Sequence, residues 1–342
     1  MQVIYYNVFS VPLCIEKNPS YLSQYYSKDF SQDLFLKYRK YGIDTSNFVY
    51  DRTQSIPHYL DIKPDLAPIP NAEGFNKSFE QVVEERAKEL LSLGKQINVV
   101  WSGGIDSTLA LFALIKYAND PSQITVYGTY TSILESGNLF ENNILPKGVK
   151  HNIKVSSKKE FSNPDEIYVT GFMGNQLFGP TDDFSKNSTI TLFHHQFNYD
   201  DPLAPYQKCI SGEKLEFLQP MIDASPKKIE TVRDLRWWFI FNLDWYTAKF
   251  DSLVHAKNRN DIHHFFDTDD FQRYVLTTKE PFTKEVGNAL THRWEMRQLI
   301  EDYSGNKHYP WNKTKGVSNL SNSNPSWLIM LEDYSLIVSK PN

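Results

Sequence analysis

The stretch that most constrains this chain is Ile97 to Tyr117, INVVWSGGIDSTLALFALIKY. Ile97 to Trp101 is a short apolar run of the kind that forms a buried strand. Ser102-Gly103-Gly104-Ile105-Asp106-Ser107 follows, and then an apolar helical pattern through Leu109, Phe112, Ala113 and Lys116. A strand, a glycine turn and a helix start, in that order, make an anion site. The two glycines permit a sharp turn and bring backbone N–H groups against a ligand. The helix N-terminus behind them adds roughly half a positive charge. Ser102, Ser107 and Thr108 offer hydroxyls to phosphate oxygens, and Asp106 is placed to hold a magnesium ion. The plainer reading is an ordinary tight turn with an Asp-Ser helix cap. Six specified residues between a strand and a helix outweigh it.

The rest of the chain sets bounds on what such a site can belong to. A length of 342 residues gives one large or two modest domains with a substantial core. A net charge of −5 argues against a non-specific nucleic-acid surface. The two cysteines, Cys14 and Cys209, form no CxxC pair, which argues against a zinc ribbon or paired redox site and fits a cytoplasmic protein. No run of about 18 apolar residues is present to span a bilayer. The opening MQVIYYNVFS lacks a basic region and a small-residue cleavage site, so no signal peptide is expected.

Taken in order, Met1 to about Pro70 reads as a first unit. It has a strand at Gln2 to Val8, polar tyrosine-rich helix at Ser20 to Tyr41, and a boundary at Pro57, Pro64, Pro68 and Pro70. Phe79 to Leu93 reads as a helix, with Val82, Val83, Ala87, Leu90 and Leu91 on one face and Gly94 past its end. Beyond the glycine turn, Ile124 to Tyr130, His151 to Val155 and Ile167 to Thr170 read as further strands. Short strands separated by helices predict an α/β fold with a doubly wound parallel sheet over about 76–200. The ligand of such a sheet lies at the carboxyl ends of its strands, where the Ser102 turn and Gly171 both fall. From about Ser225 the chain reads as a C-terminal helical region, with Trp237, Trp238, Phe239, Phe241, Trp245 and Tyr246 as helix-packing residues. Gly305 to Asn324 reads as a loop before the apolar Trp327 to Leu331.

Four stretches together carry a family resemblance. Ser102 to Ser107 resembles the pyrophosphate loop, SGGxDS, of PP-loop ATP pyrophosphatases. Tyr168 to Gly179, YVTGFMGNQLFG, resembles the vLSGxGxDExFGG segment of asparagine synthetases. Asp251-Ser252-Leu253 with Phe265-Phe266-Asp267 resembles their later DrxSMaxxxExRxPFLD segment. Arg293 to Arg297, then Pro310-Trp311 and Lys313-Thr314-Lys315-Gly316, echo the closing pattern of Arg helix, Pro and RxK. The resemblance spans about Phe79 to Gly316, so about 76–342 is expected to be the synthetase-like domain and 1–75 a short separate unit.

The resemblance implies a soluble AMP-forming ligase that uses ATP and Mg2+. A small-molecule or peptide carboxylate attacks the α-phosphorus, pyrophosphate leaves into the loop, and an amine displaces AMP to form an amide. Position by position, Ser102, Gly103, Gly104, Asp106 and Ser107 would hold pyrophosphate and its metal. Trp101, Tyr127, Thr170 and Gly171 would border the adenosine. Asp106 and Asn175 would be the metal positions, and Lys315, or alternatively Lys313, would reach the phosphates or the developing oxyanion. The family's second magnesium-binding Asp is Asn175 here, and its neighbouring Glu is Gln176. An amide oxygen brings no charge, so a weaker metal site is expected. Phe172 stands where an acidic residue is found, and Asn260 and Ile262 replace the Glu and Arg of ExRxPFLD. No N-terminal cysteine nucleophile is present, so no glutaminase half is expected.

Three functions stay open on this basis: a ligase that takes its amine directly, a PP-loop enzyme that modifies a nucleotide base, and an ATP-binding protein that has lost catalysis. The pairs His194-His195 and His263-His264 are read as packing rather than metal ligands, since sequence neighbours rarely face one ion. Asp182-Asp183 and Asp269-Asp270 are read as turns or helix caps.

Overall fold

A computed structural model describes residues 3–6, 31–41, 50–59, 68–154, 165–179, 203–251, 261–278, 283–286, 289–312, 327–331 and 336–339. The chain forms two compact units, each discontinuous in sequence. One comprises Asn71–Phe178 and His255–Asn322, and the other Met1–Pro70, Gly179–Val254 and Ser323–Asn342. The segment around Trp237 thus groups with the N-terminal residues and not with the sheet.

The first of these units begins with helix α1, Phe79–Ser92. A capping box starts it: Ser78 Oγ accepts from the Gln81 N–H, and the Gln81 side chain accepts from the Ser78 N–H. Of its expected apolar face, Val82, Val83, Ala87 and Leu90 are all at 1% exposure or less, while Leu91 is half-buried. Strand β1, Gln96–Val100, leads into the glycine turn and helix α2, Ile105–Tyr117. Next come β2, Ile124–Thr129, and α3, Tyr130–Leu139, started by a second capping box on Thr129 and Ser132. Then follow β3, Lys150–Lys154, β4, Glu166–Thr170, and the short helix α4, Gly174–Phe178. After His255 come β5, Ile262–His264, and α5, Asp269–Thr277. An antiparallel strand pair, β6 at Thr283–Val286 and β7 at Ala289–His292, leads to α6, Trp294–Ser304, and α7, Tyr309–Asn312.

Strands β1 to β5 form one sheet in the order β3-β2-β1-β4-β5, and every neighbouring pair is parallel. The chain builds outward from β1 through β2 to β3, then returns to the other side of β1 for β4. That reversal leaves a crevice beyond the carboxyl ends of β1 and β4, which is where open parallel sheets bind ligands. Val100 sits in register with Tyr127 on one side and Thr170 on the other. The turns that follow β1 and β4 therefore start at one level, and β2 runs two residues past it to Thr129.

Helix α2 is apolar on every face, and the structure shows why. Residues Leu109 through Leu114 are all at 1% exposure or less. The helix packs against α1, α6 and the sheet, so each large side chain contributes about 1.5–3 kcal/mol of burial. A helix with no polar stripe is stable only in such a position.

The fifth strand departs from the sequence expectation. Residues after about 225 were expected to be helical, yet Ile262–His264 is a sheet strand, Thr283–Val286 and Ala289–His292 are an antiparallel strand pair, and Trp327–Leu331 is a strand. Three residues are too few to show a period of two. What fixes β5 is tertiary: Arg86, buried on α1, donates through Nε to the Phe265 carbonyl and through Nη2 to the His264 carbonyl.

In the other unit, Gln32–Tyr41, Gly212–Asp223, Val232–Leu243 and Trp245–Asp251 are helices. Val3–Tyr6, Trp327–Leu331 and Leu336–Ser339 form an antiparallel sheet. Trp238 is fully buried and its indole N–H donates to the Met221 carbonyl at 3.0 Å. The guanidinium of Arg52 lies 4.4 Å from the Trp245 ring. The aromatic run is packing, as expected.

Candidate phosphate-binding site

The glycine turn is held in shape from three directions. Gly103 has φ of +83°, and a side chain there would place its first carbon 2.7 Å from the Ser132 carbonyl oxygen. Glycine is required on both counts. Ser132 Oγ donates to the Trp101 carbonyl at 2.8 Å, and Ser136 Oγ to the Gly103 carbonyl at 2.9 Å. Helix α3 thereby fastens the back of the turn.

Within the turn the two expected serines act as a pair. Ser107 Oγ accepts from the Ser102 N–H at 3.1 Å and lies 2.9 Å from Ser102 Oγ, which accepts from the Gly104 N–H at 3.2 Å. The Ser102 and Gly104 N–H groups are thus gathered around these two hydroxyls. Gly104 is the N-cap of α2 and makes no side-chain cap. The first-turn N–H groups of Ile105 and Asp106 have no acceptor within the helix. Ser102 is exposed, while Gly104 and Asp106 are half-buried, so the turn opens to solvent.

Four residues assigned to adenosine have different surroundings. Trp101 is 1% exposed, its indole N–H donates to Thr108 Oγ1 at 3.0 Å, and its ring stacks on Phe140. The indole therefore belongs to the core and offers no face to a nucleoside. Thr170 is buried, with Oγ1 at 2.7 Å from His264 Nδ1. Tyr127 and Gly171 keep partial exposure. Gly171 packs against α2: a side chain on it would place its first carbon 2.5 Å from the Ser107 nitrogen.

Asp106 and Asn175, the two expected metal positions, do come together, but with an arginine between them. Arg293 donates through Nη1 to Asp106 Oδ1 and through Nη2 to Asn175 Oδ1. Arg293 is 6% exposed and adopts a left-handed backbone, φ 56° and ψ 43°, at the start of α6. Such a conformation is uncommon for a residue with a β-carbon. Gly174 closes another side, since a side chain on it would meet the Asp106 carboxyl carbon at 2.5 Å. Burial pushes the Asp106 carboxyl above its ordinary value, and the guanidinium pulls in the opposite direction. These residues do not fit a divalent ion as expected: the single carboxylate is already paired with a cation. Among the described residues, no group of three His, Cys, Asp or Glu could hold a metal.

Beside the turn is a cavity of about 470 Å³ lined by Leu134, Glu135, Ser136, Asn306, His308 and Tyr309. Ser136, which fastens Gly103, forms part of its wall. Arg293, His264, Ser132 and Ser136 were not given roles from sequence. The Arg293–Arg297 pattern was the only cue to the first. Lys313, Lys315 and Asn260 lie outside the described residues. The sequence matches no protein-family model and no curated protein.

Proposed function

We propose that this chain is an ATP-binding protein of PP-loop pyrophosphatase type, in which the Ser102–Ser107 turn receives the phosphates of the nucleotide. One observation carries the reading. The turn leaves the carboxyl end of β1, where the parallel sheet reverses its order, and it gathers the Ser102 and Gly104 N–H groups and the Ser107 and Ser102 hydroxyls at the start of α2, beside the exposed Ser102. The neighbouring cavity has the size of an ordinary small-molecule site.

The turn would bind phosphate oxygens through the Gly104 to Asp106 N–H groups and the Ser102 and Ser107 hydroxyls. A preformed donor set of this kind loses little free energy to reorganisation on binding. The resemblance to asparagine synthetases extends the proposal to AMP-forming ligation of a carboxylate to an amine, with Lys315 or Lys313 as the charge-compensating group. Arg293, seated between the two metal positions, favours the binding part of the proposal over the catalytic part.

The test is calorimetric titration of the full chain with ATP, in parallel with pyrophosphate release from a panel of carboxylates and amines. Binding with an affinity lowered by Gly103→Val is expected. No heat of binding at millimolar ATP would remove the reading. Pyrophosphate release dependent on both a carboxylate and an amine would establish the ligase.

A further inference from the structure

Charge at the turn must balance before an anion enters. Asp106 stands in the first turn of α2, beside the N–H groups that would receive phosphate. An uncompensated carboxylate there repels a polyphosphate, so a cation is needed. In the pattern this chain resembles, two carboxylates and a divalent ion sum to zero. Here one carboxylate and one guanidinium also sum to zero, and the second carboxylate is the neutral Asn175.

We propose that Arg293 is a tethered cation that takes the place of the divalent metal at this turn, making phosphate binding independent of metal. The inference rests on the nucleotide-binding reading above for its ligand, though not for its claim about metal. The exchange of carboxylate for amide at 175 follows directly. A monovalent cation with two N–H groups needs one charged and one neutral acceptor, whereas a second carboxylate would leave a net negative charge. Both acceptors are met by one planar fork, the geometry in which arginine differs from lysine. Arg293 is also nine-tenths buried, and its Nε has no hydrogen-bond partner among the described residues. It is committed to this place by the α6 start and not by solvent.

Two measurements test the proposal. The first uses manganese chloride alone, with bound Mn2+ read by electron paramagnetic resonance. The wild-type chain is expected to bind none at this site, while Arg293→Met gains a site that Asp106→Asn then abolishes. Mn2+ bound by the wild-type chain and lost in Asp106→Asn would overturn the proposal, whatever the protein does with nucleotides. The second is ATP titration in EDTA and in magnesium chloride. Equal affinity within a factor of about three is expected for the wild type. For Arg293→Met, affinity in EDTA should fall by about tenfold or more and recover with magnesium. A magnesium requirement in the wild type would defeat the metal-free proposal and leave nucleotide binding standing. Absence of binding in both conditions would defeat the nucleotide reading instead, and the manganese result would then decide the metal claim alone. Arg293→Gln, which removes the charge but keeps a polar side chain, serves if the methionine variant fails to fold: its ATP affinity in EDTA should likewise fall and recover with magnesium, and an affinity in EDTA equal to wild type would overturn the proposal.

Discussion

Gly171 presses against the start of helix α2 so closely that a β-carbon on it would lie 2.5 Å from the backbone nitrogen of Ser107. The end of β4 and the start of α2, where the glycine turn closes, are thus one packed unit. A ligand that moves one must move the other.

The first expectation concerns that contact. Gly171→Ala must shift backbone, since neither atom belongs to a flexible side chain. It should destabilise the fold by about 1–3 kcal/mol, the usual cost of overpacking. Thermal unfolding monitored by circular dichroism measures it. An unchanged midpoint would show that β4 and α2 are not held at this separation.

Ser107→Ala separates structure from binding. Ser107 Oγ accepts from the Ser102 N–H and lies against Ser102 Oγ. Its loss should cost about 1 kcal/mol of stability and weaken ATP more than Thr277→Ala, a change at the exposed end of α5. Equal ATP affinities for the two variants would detach the serine pair from the ligand.

The tail lysine discriminates ligase from binding protein. If the chain forms acyl-adenylates, Lys315→Ala should lower turnover by about 3 kcal/mol of transition-state stabilisation, comparable to an oxyanion donor. ATP affinity should barely change. Turnover indifferent to the loss of both Lys313 and Lys315 would remove this tail from the active site.

A pH dependence follows from the other unit. Burial pushes the Lys214 ammonium from an ordinary 10.5 down to about 8. Between those values the unfolded chain holds a proton that the folded chain has released. Stability from this group therefore rises with pH across the window. Lys214→Met should flatten the urea midpoint against pH between about 8 and 10 relative to wild type. Parallel curves for the two proteins would show that the ammonium is solvated.

The local order of the glycine turn was legible because strand, glycine pair and helix start are contiguous and each has a local cause. Gly103 needs its positive φ, and α2 needs burial on every face because residues 109 to 114 contain no polar group. Three of the five sheet strands were readable for the same reason, as short runs rich in β-branched and apolar residues, and β3, KHNIK, was read from its neighbours although only Ile153 is apolar. β5 was not, because three residues carry no period, and its place is set by Arg86 reaching two carbonyls from another helix.

The site itself divides in the same way. Sequence put Asp106 in the turn and Asn175 after β4, and it named both as metal positions. Only tertiary structure could decide what lies between them. Arg293 is 187 residues from Asp106 and 118 from Asn175 along the chain. No spacing rule connects positions so far apart, and the Arg293–Arg297 pattern read in sequence marked a helix without naming the partner of its first arginine. Folding brings α6 against α2, and the guanidinium then occupies the place in which sequence expected magnesium. Trp101 shows the converse: its position beside the turn was readable, but whether its ring faced a ligand or the core depended on Phe140 and Thr108. Local sequence fixes backbone shape through φ preferences and apolar periodicity. The partner of each charge is fixed by which distant elements pack together, and burial makes that choice binding.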